Sequence, residues 1–138
     1  IVTGPEPPPW LATSGLRTDA QGWLATGPTL QSLSHPEVLA AGDVSARADA
    51  PHPRSGVYAV RAGPPLALNL RRLAGGGELQ PWLPQPRSLN LLSCGDRRAI
   101  ASYGTWSAQG RWVWWWKNRI DRAFVAKYTV GPASGATT

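Results

Sequence analysis

The stretch VLAAGDVSA, residues 38–46, sets one carboxylate directly behind an apolar run and a glycine. An apolar run of this length reads as a strand, here Val38 to Ala41, and Gly42-Asp43-Val44 then lies at its carboxyl end. In open α/β sheets that is where ligands sit. Glycine lets the backbone come close to a bulky ligand, and an acid beside it can accept a hydrogen bond from a sugar-like hydroxyl such as that of a ribose or ribityl chain. The other reading of Asp43 is a turn residue that caps something nearby, and both stay open on the residues alone. Ser55-Gly56-Val57 is the second candidate, because it opens a helical pattern. A helix start offers free backbone N–H groups and a positive dipole end, favouring a nearby anion by roughly 0.3–1 kcal/mol when exposed and about 2 when partly buried. Ser55 also suits an ordinary N-cap.

The remaining polar candidates are weaker. His52, between Pro51 and Pro53, reads as a loop residue rather than a proton relay, and His35 before Pro36 reads as a turn residue. Arg61, one and a half turns into the helix, faces either an acceptor pocket or solvent. The single cysteine, Cys94, excludes an internal disulfide framework and a Cys-x-x-Cys redox pair. With only two separated histidines, a Cys/His zinc site is not expected. This cysteine usage fits a cytoplasmic compartment.

The elements that position these residues follow from the punctuation of the chain. Its 138 residues predict one domain, or one small domain and part of another. No apolar run is long enough to span a bilayer as a helix. The chain opens on Ile1 within an apolar phrase, which reads as a cut or processed piece. Pro5 to Pro9 is a connector. Asp19-Ala20-Gln21-Gly22 is a turn, followed by a short strand from Trp23 to Thr26 and a further extended piece from Thr29 to Ser32. A helix is predicted from Ser55-Gly56 to about Leu73, kinked at Pro64-Pro65, with Leu66, Leu70 and Leu73 on one apolar face. Gly75-Gly76-Gly77 ends it and marks a boundary. Leu89–Ser93 and Ala99–Tyr103 predict an antiparallel pair joined through Cys94-Gly95-Asp96. Residues 104–110 read as a loop, 111–128 as the last helix, and 129–138 as a flexible tail. The expected class is therefore α/β, with a first part over 1–74 and a small strand-pair-and-helix part over 75–128.

Charge and aromatic content divide the chain unevenly. Residues 1–70 carry four arginines against five acids, whereas residues 71–138 carry ten basic groups against three acids. The basic half suits an anionic partner: membrane headgroups, nucleic acid or an acidic protein face. It also holds WVWWW, four of the chain's eight tryptophans. On a helix advancing roughly 100° per residue, Trp112, Val113, Trp116, Ile120, Ala123 and Phe124 share a face, with Trp114 and Trp115 at the margins of the polar side. Three uses are compatible with this run. They are packing against another portion or a second copy in a homo-oligomer, an interfacial helix with tryptophan and Lys117, Arg119, Arg122 and Lys127 at headgroup depth, and stacking on single-stranded nucleic acid. The last is disfavoured because no nucleic-acid fold motif is recognisable.

Four phrases in order, SHPEVLAAGDV, SGVYAVRAGPPLALNLR, LNLLSCGDRRAIASYG and WVWWWKNRIDRAF, make the chain resemble the C-terminal part of the pyridine nucleotide-disulfide oxidoreductase superfamily. The likeness is to its NADH dehydrogenase-like, non-disulfide branch, of the type often fused ahead of selenophosphate synthetase. It covers nearly the whole chain to about Phe124. The resemblance implies the end of an FAD-binding domain followed by a small hairpin-and-helix domain. It implies that Thr3-Gly4 ends the nucleotide-binding insert, that Gly42, Asp43 and Val44 hold the ribityl or pyrophosphate part of FAD, and that Ser55, Gly56 and Val57 start a helix at the flavin pyrimidine ring, with the Val57 amide as donor. The implied activity is hydride transfer from NAD(P)H to FAD and electron delivery to an acceptor such as a quinone. Relatives that reduce membrane quinones carry C-terminal amphipathic segments, so a peripheral position on the inner membrane face is a further implication. The family's Gly-x-Gly-x-x-Gly fingerprints for FAD and NAD(P)H are absent, so the phosphate-binding portion implied by the family would lie outside this chain, and no catalytic residue or metal ligand is assigned within it.

Overall fold

The computed structural model describes residues 4–129, which mix helix and strand. Thr3 and the tail from Val130 onward, named above, lie outside the described residues. The chain divides into two units, Ile1–Pro86 and Arg87–Thr138, each taken by itself below.

In the first unit, the Asp19 carboxylate closes the expected turn. Its Oδ1 accepts the amides of Gln21 and Trp23, both at 2.9 Å. The chain leaves that turn into β1 (Leu24–Thr26), fully buried, which pairs in parallel with β2 (Ser45–Arg47). The position of β2 corrects the expected strand. Val38 to Ala41 makes only one antiparallel bridge, Gln31 to Leu39, and its residues are mostly half-exposed. The paired strand comes after the Gly-Asp, not before it. Gly42–Val44 is a single 3-10 turn between the two segments. Val44 packs its side chain on the cluster of Leu11, Leu24 and Ala40.

Helix α1 (Gly56–Ala74) begins and ends within one residue of the expected span and runs through Pro64 and Pro65. Each proline lacks the N–H that would bond the carbonyl four residues back. Its buried stripe differs from the expected one. Tyr58, Ala62 and Asn69 are buried, whereas Leu70 is exposed. The polar Asn69 lies inside because all its groups are met. Its Nδ2 donates to the carbonyls of Thr29 and Gln80, and its Oδ1 accepts the Gln80 amide, all at 2.8–2.9 Å. These bonds explain why the first unit extends to Pro86 and does not stop at the triple glycine. Gln80 is tied to α1, the Trp82 amide donates to the Pro28 carbonyl, and the Arg47 guanidinium donates to the Trp82 carbonyl.

In the second unit, β3 (Asn90–Gly95), β4 (Arg98–Tyr103) and β5 (Trp106–Gly110) form an antiparallel sheet in that order. Asp96 and Arg97 both have positive φ, +47° and +53°, the two left-handed residues that a type I′ hairpin turn demands. The loop expected over 104–110 is instead β5, paired with β4 from Tyr103–Trp106 to Ala99–Gly110. Cys94 sits at a register shift in β3, exposed, not inside the turn itself. Helix α2 (Arg111–Tyr128) has the expected bounds. It meets the sheet through Val113, which packs on Ala99 and Ala101, with Trp114, Leu89, Leu91 and Ala108 around them.

Candidate functional site

The first unit brings the Gly-Asp turn against the start of α1. Gly42 has φ +78°, and a Cβ there would stand 3.3 Å from the Ala59 Cβ, so a side chain is excluded both by backbone conformation and by the helix. A small recess between turn and helix is lined by Gly42, Asp43, His52, Pro53, Arg54, Ser55, Tyr58 and Ala59. It is too tight to admit a water-sized sphere.

Asp43 is exposed, and among the described residues its carboxylate accepts no hydrogen bond from a side chain or amide. The local turn is closed by other groups. The Ser45 hydroxyl donates to the Gly42 carbonyl at 3.0 Å. Ser55 occupies the N-cap position with extended backbone, but its side chain makes no capping bond. The first helical bonds run from the Tyr58 and Ala59 amides to the Ser55 carbonyl, which leaves the Gly56 and Val57 amides without a helical acceptor. Gly56 is exposed, with open space where a Cβ would stand. Of the residues singled out from the sequence, the structure thus brings Gly42, Asp43 and Ser55 together, with Gly56 and Val57 on the adjoining helical turn. Val44 is turned into the core. Gly4 is exposed and does not line the recess.

His52 is a packing residue: its ring stacks on Tyr58 at 5.0 Å, meets Trp82 edge-on, and its Nδ1 lies 3.0 Å from the Ala50 carbonyl. Arg54 escaped the sequence reading, although its place beside Ser55 at a helix start was a signal. Its guanidinium lies 4.0 Å over the Trp23 ring. Arg61 is exposed. The Asp49 carboxyl is held below its usual range, chiefly by hydrogen bonding to Arg47.

On α2 the tryptophans divide differently from the expected pattern. Trp114, placed at the polar margin, is half-buried in the core, whereas Trp112 and Trp115 are 56% and 61% exposed. Trp116, Ile120 and Phe124 are exposed as well. The sheet-facing stripe runs through Val113 and Trp114, so the opposite side displays Trp112, Trp115 and Trp116 beside Arg119 and Arg122. Trp112 and Trp116 stack with their rings 11° from parallel. Trp115, Trp116, Asn118, Arg119 and Arg122 line an open groove of about 580 Å³.

No protein-family model matches the chain, and no curated protein sequence matches it. Among the described residues there is no group of three or more His, Cys, Asp or Glu able to hold a metal ion, and no helix long and apolar enough to cross a membrane.

Proposed function

We infer that the chain is part of an FAD-dependent NAD(P)H oxidoreductase, completing an FAD domain whose phosphate-binding portion lies elsewhere. The observation that carries this reading is the adjacency of the Gly42–Asp43 turn and the first turn of α1, thirteen residues apart in the chain, with the Asp43 carboxylate free at their rim. The residues fit the cofactor. An unbonded carboxylate suits a polyol hydroxyl, an uncapped helix start suits an electron-rich ring, and Gly56 leaves space above it. FAD, when bound, takes the hydride from NAD(P)H and passes electrons to an acceptor such as a quinone. In this reading Asp43 accepts a hydroxyl hydrogen and fixes the polyol. The Gly56 and Val57 amides donate toward the pyrimidine edge, where the α1 dipole favours negative charge.

The test uses the longest natural polypeptide containing this sequence. Purified as it stands, it is expected to carry flavin absorbance and to be bleached by NADH or NADPH. Asp43→Ala is expected to weaken FAD retention by about 10- to 100-fold, the worth of a hydrogen bond to a charged acceptor. Equal FAD occupancy in the variant counts against the role given to Asp43, and a colourless protein that takes up no added FAD counts against the whole reading.

A second reading draws on α2: a basic, tryptophan-rich module that binds a membrane surface or a protein. Exposed tryptophans beside Arg119 and Arg122 suit the headgroup layer of an anionic bilayer. The same face would serve an enzyme held peripherally on a membrane. Co-sedimentation with vesicles containing an anionic lipid is expected to pull the chain down. Neutral vesicles are expected to take far less, and Trp115→Ala with Trp116→Ala is expected to lose most of the binding. A chain that stays in the supernatant under all three conditions removes this reading without touching the flavin one.

A further inference from the structure

Arg54 stands between two recesses. One is the tight recess at the Gly42–Asp43 turn. The other is larger, about 260 Å³, and is bordered by the β1–β2 pair, the Asp19 turn and the loop leading into α1. The chemistry of the larger recess is uneven. Arg47, on its wall, is fully engaged by Asp49 and the Trp82 carbonyl. Arg54 is not. Its Nε is shielded from solvent and has no acceptor among the described residues, and no carboxylate there lies within ion-pair distance of its guanidinium. A buried donor on a charged group without an acceptor is uncommon and calls for a reason. The guanidinium carbon lies 4.0 Å over the ring of Trp23, which is itself buried. Stacking leaves the edge of the guanidinium, with its fork of N–H donors, available to a planar or tetrahedral oxyanion.

Asp19 lines the same recess. One of its oxygens is spent on the Gln21 and Trp23 amides, and the other has no partner among the described residues. A bare anion would gain Arg54 but face this carboxylate. A ligand carrying both an oxyanion and a hydroxyl satisfies both ends. The volume, just under that of sites for drug-sized ligands, sets a limit near a single sugar.

We propose that the recess between Asp19 and Arg54 binds a small polyol bearing an oxyanion, with Arg54 taking the anionic group and Asp19 a hydroxyl. The recess shares His52 and Arg54 with the one at the Gly42–Asp43 turn, but its probes contain no flavin and its test does not measure FAD, so the two readings fail separately. The oxyanion is a phosphate or a carboxylate, and ribose 5-phosphate and gluconate are the two probes that tell them apart.

Titration calorimetry on the full 138-residue chain is the experiment. Saturable binding of ribose 5-phosphate or gluconate is expected, with neutral ribose at least about 10-fold weaker, as a charge-assisted bidentate contact requires. Arg54→Gln is expected to lose about 10-fold or more in affinity, and Arg54→Lys, which keeps the charge but not the fork, to fall between. Asp19→Asn keeps the oxygen that closes the turn. It is expected to lower the preference for ribose 5-phosphate over inorganic phosphate. A folded wild-type chain that binds neither probe overturns the site, as does ribose binding as tightly as the anions. If Arg54→Gln does not fold, Arg54→Lys decides: unchanged affinity in it overturns the assignment to the guanidinium fork.

Discussion

Asn69→Leu is expected to destabilise the first unit by about 3 kcal/mol, although it exchanges a buried polar side chain for an apolar one of similar size. Asn69 is wholly buried on α1 and makes three hydrogen bonds. Leucine would leave the carbonyls of Thr29 and Gln80 and the Gln80 amide without their side-chain partner at a part-buried site. Each such group costs roughly 1–3 kcal/mol, offset in part by the apolar transfer of the new side chain. For a unit of this size the loss corresponds to a fall of roughly 12–24 °C in Tm. Asn69→Asp keeps the acceptor for the Gln80 amide but turns a second oxygen toward two carbonyls, so it is expected to be at least as damaging at neutral pH. A thermal melt of Asn69→Leu within roughly 2–3 °C of the wild type would mean that water or a shift of the 78–86 segment replaces these bonds.

Asp49→Ala is the second large effect. The Arg47 side chain is 2% exposed, and the Asp49 side chain 43%. Removing the acid leaves a buried cation whose remaining protein acceptor is the Trp82 carbonyl. Breaking a fully buried pair costs about 3–5 kcal/mol, but Asp49 is half in water, so about 2 kcal/mol is expected here. The double variant Arg47→Met with Asp49→Ala, which removes the cation as well, is expected to recover much of that loss. Urea unfolding of the single and double variants measures both. A double variant less stable than Asp49→Ala alone would show that Arg47 acts mainly by packing, not as half of an ion pair. The same pair sets an acid dependence. Asp49 titrates lower in the folded chain than unfolded, chiefly because Arg47 hydrogen-bonds its carboxylate. Its contribution is therefore complete above the ordinary carboxyl value of 3.8 and is lost as pH falls through the lowered folded value. Asp49→Asn, having no such carboxylate, is expected to show a flatter stability profile below about pH 4.

The parts of the fold that were legible in the sequence were those that local chemistry decides. Ser55-Gly56 and the triple glycine bracket α1, Gly110 and the end of the apolar pattern bracket α2, and Gly95-Asp96 marks the hairpin turn. What escaped depends on distant partners. β5 is short, and its Ser107, Ala108 and Gln109 carry no strand signal of their own; pairing with β4 makes it a strand. β2 contains a buried arginine, which no local rule favours and which becomes tolerable only through Asp49 and the Trp82 carbonyl, 35 residues away. The apolar run at Val38–Ala41 carried the strand signal but finds one bridge. Helical spacing grouped Val113 with Trp112, Trp116, Ile120 and Phe124 and left Trp114 at the polar margin, whereas the sheet takes Val113 and Trp114 and leaves the others exposed. The site shows the same division: Gly42, Asp43 and Ser55 were readable as a pattern, whereas Arg54 owes its interest to Trp23, which folding places beneath it.

The three alanines beneath α2 act as a caliper. Ala99, Ala101 and Ala108 offer the helix only small side chains, so Val113 packs directly on them and, of the four tryptophans, only Trp114 joins the cluster beside Leu89 and Leu91. An interior that shallow has no berth for a second or third indole ring. The outward display of Trp112, Trp115 and Trp116 is thus a consequence of thin upholstery as much as of any demand from outside, and widening the gap at Ala101 would be the way to draw one of those rings indoors.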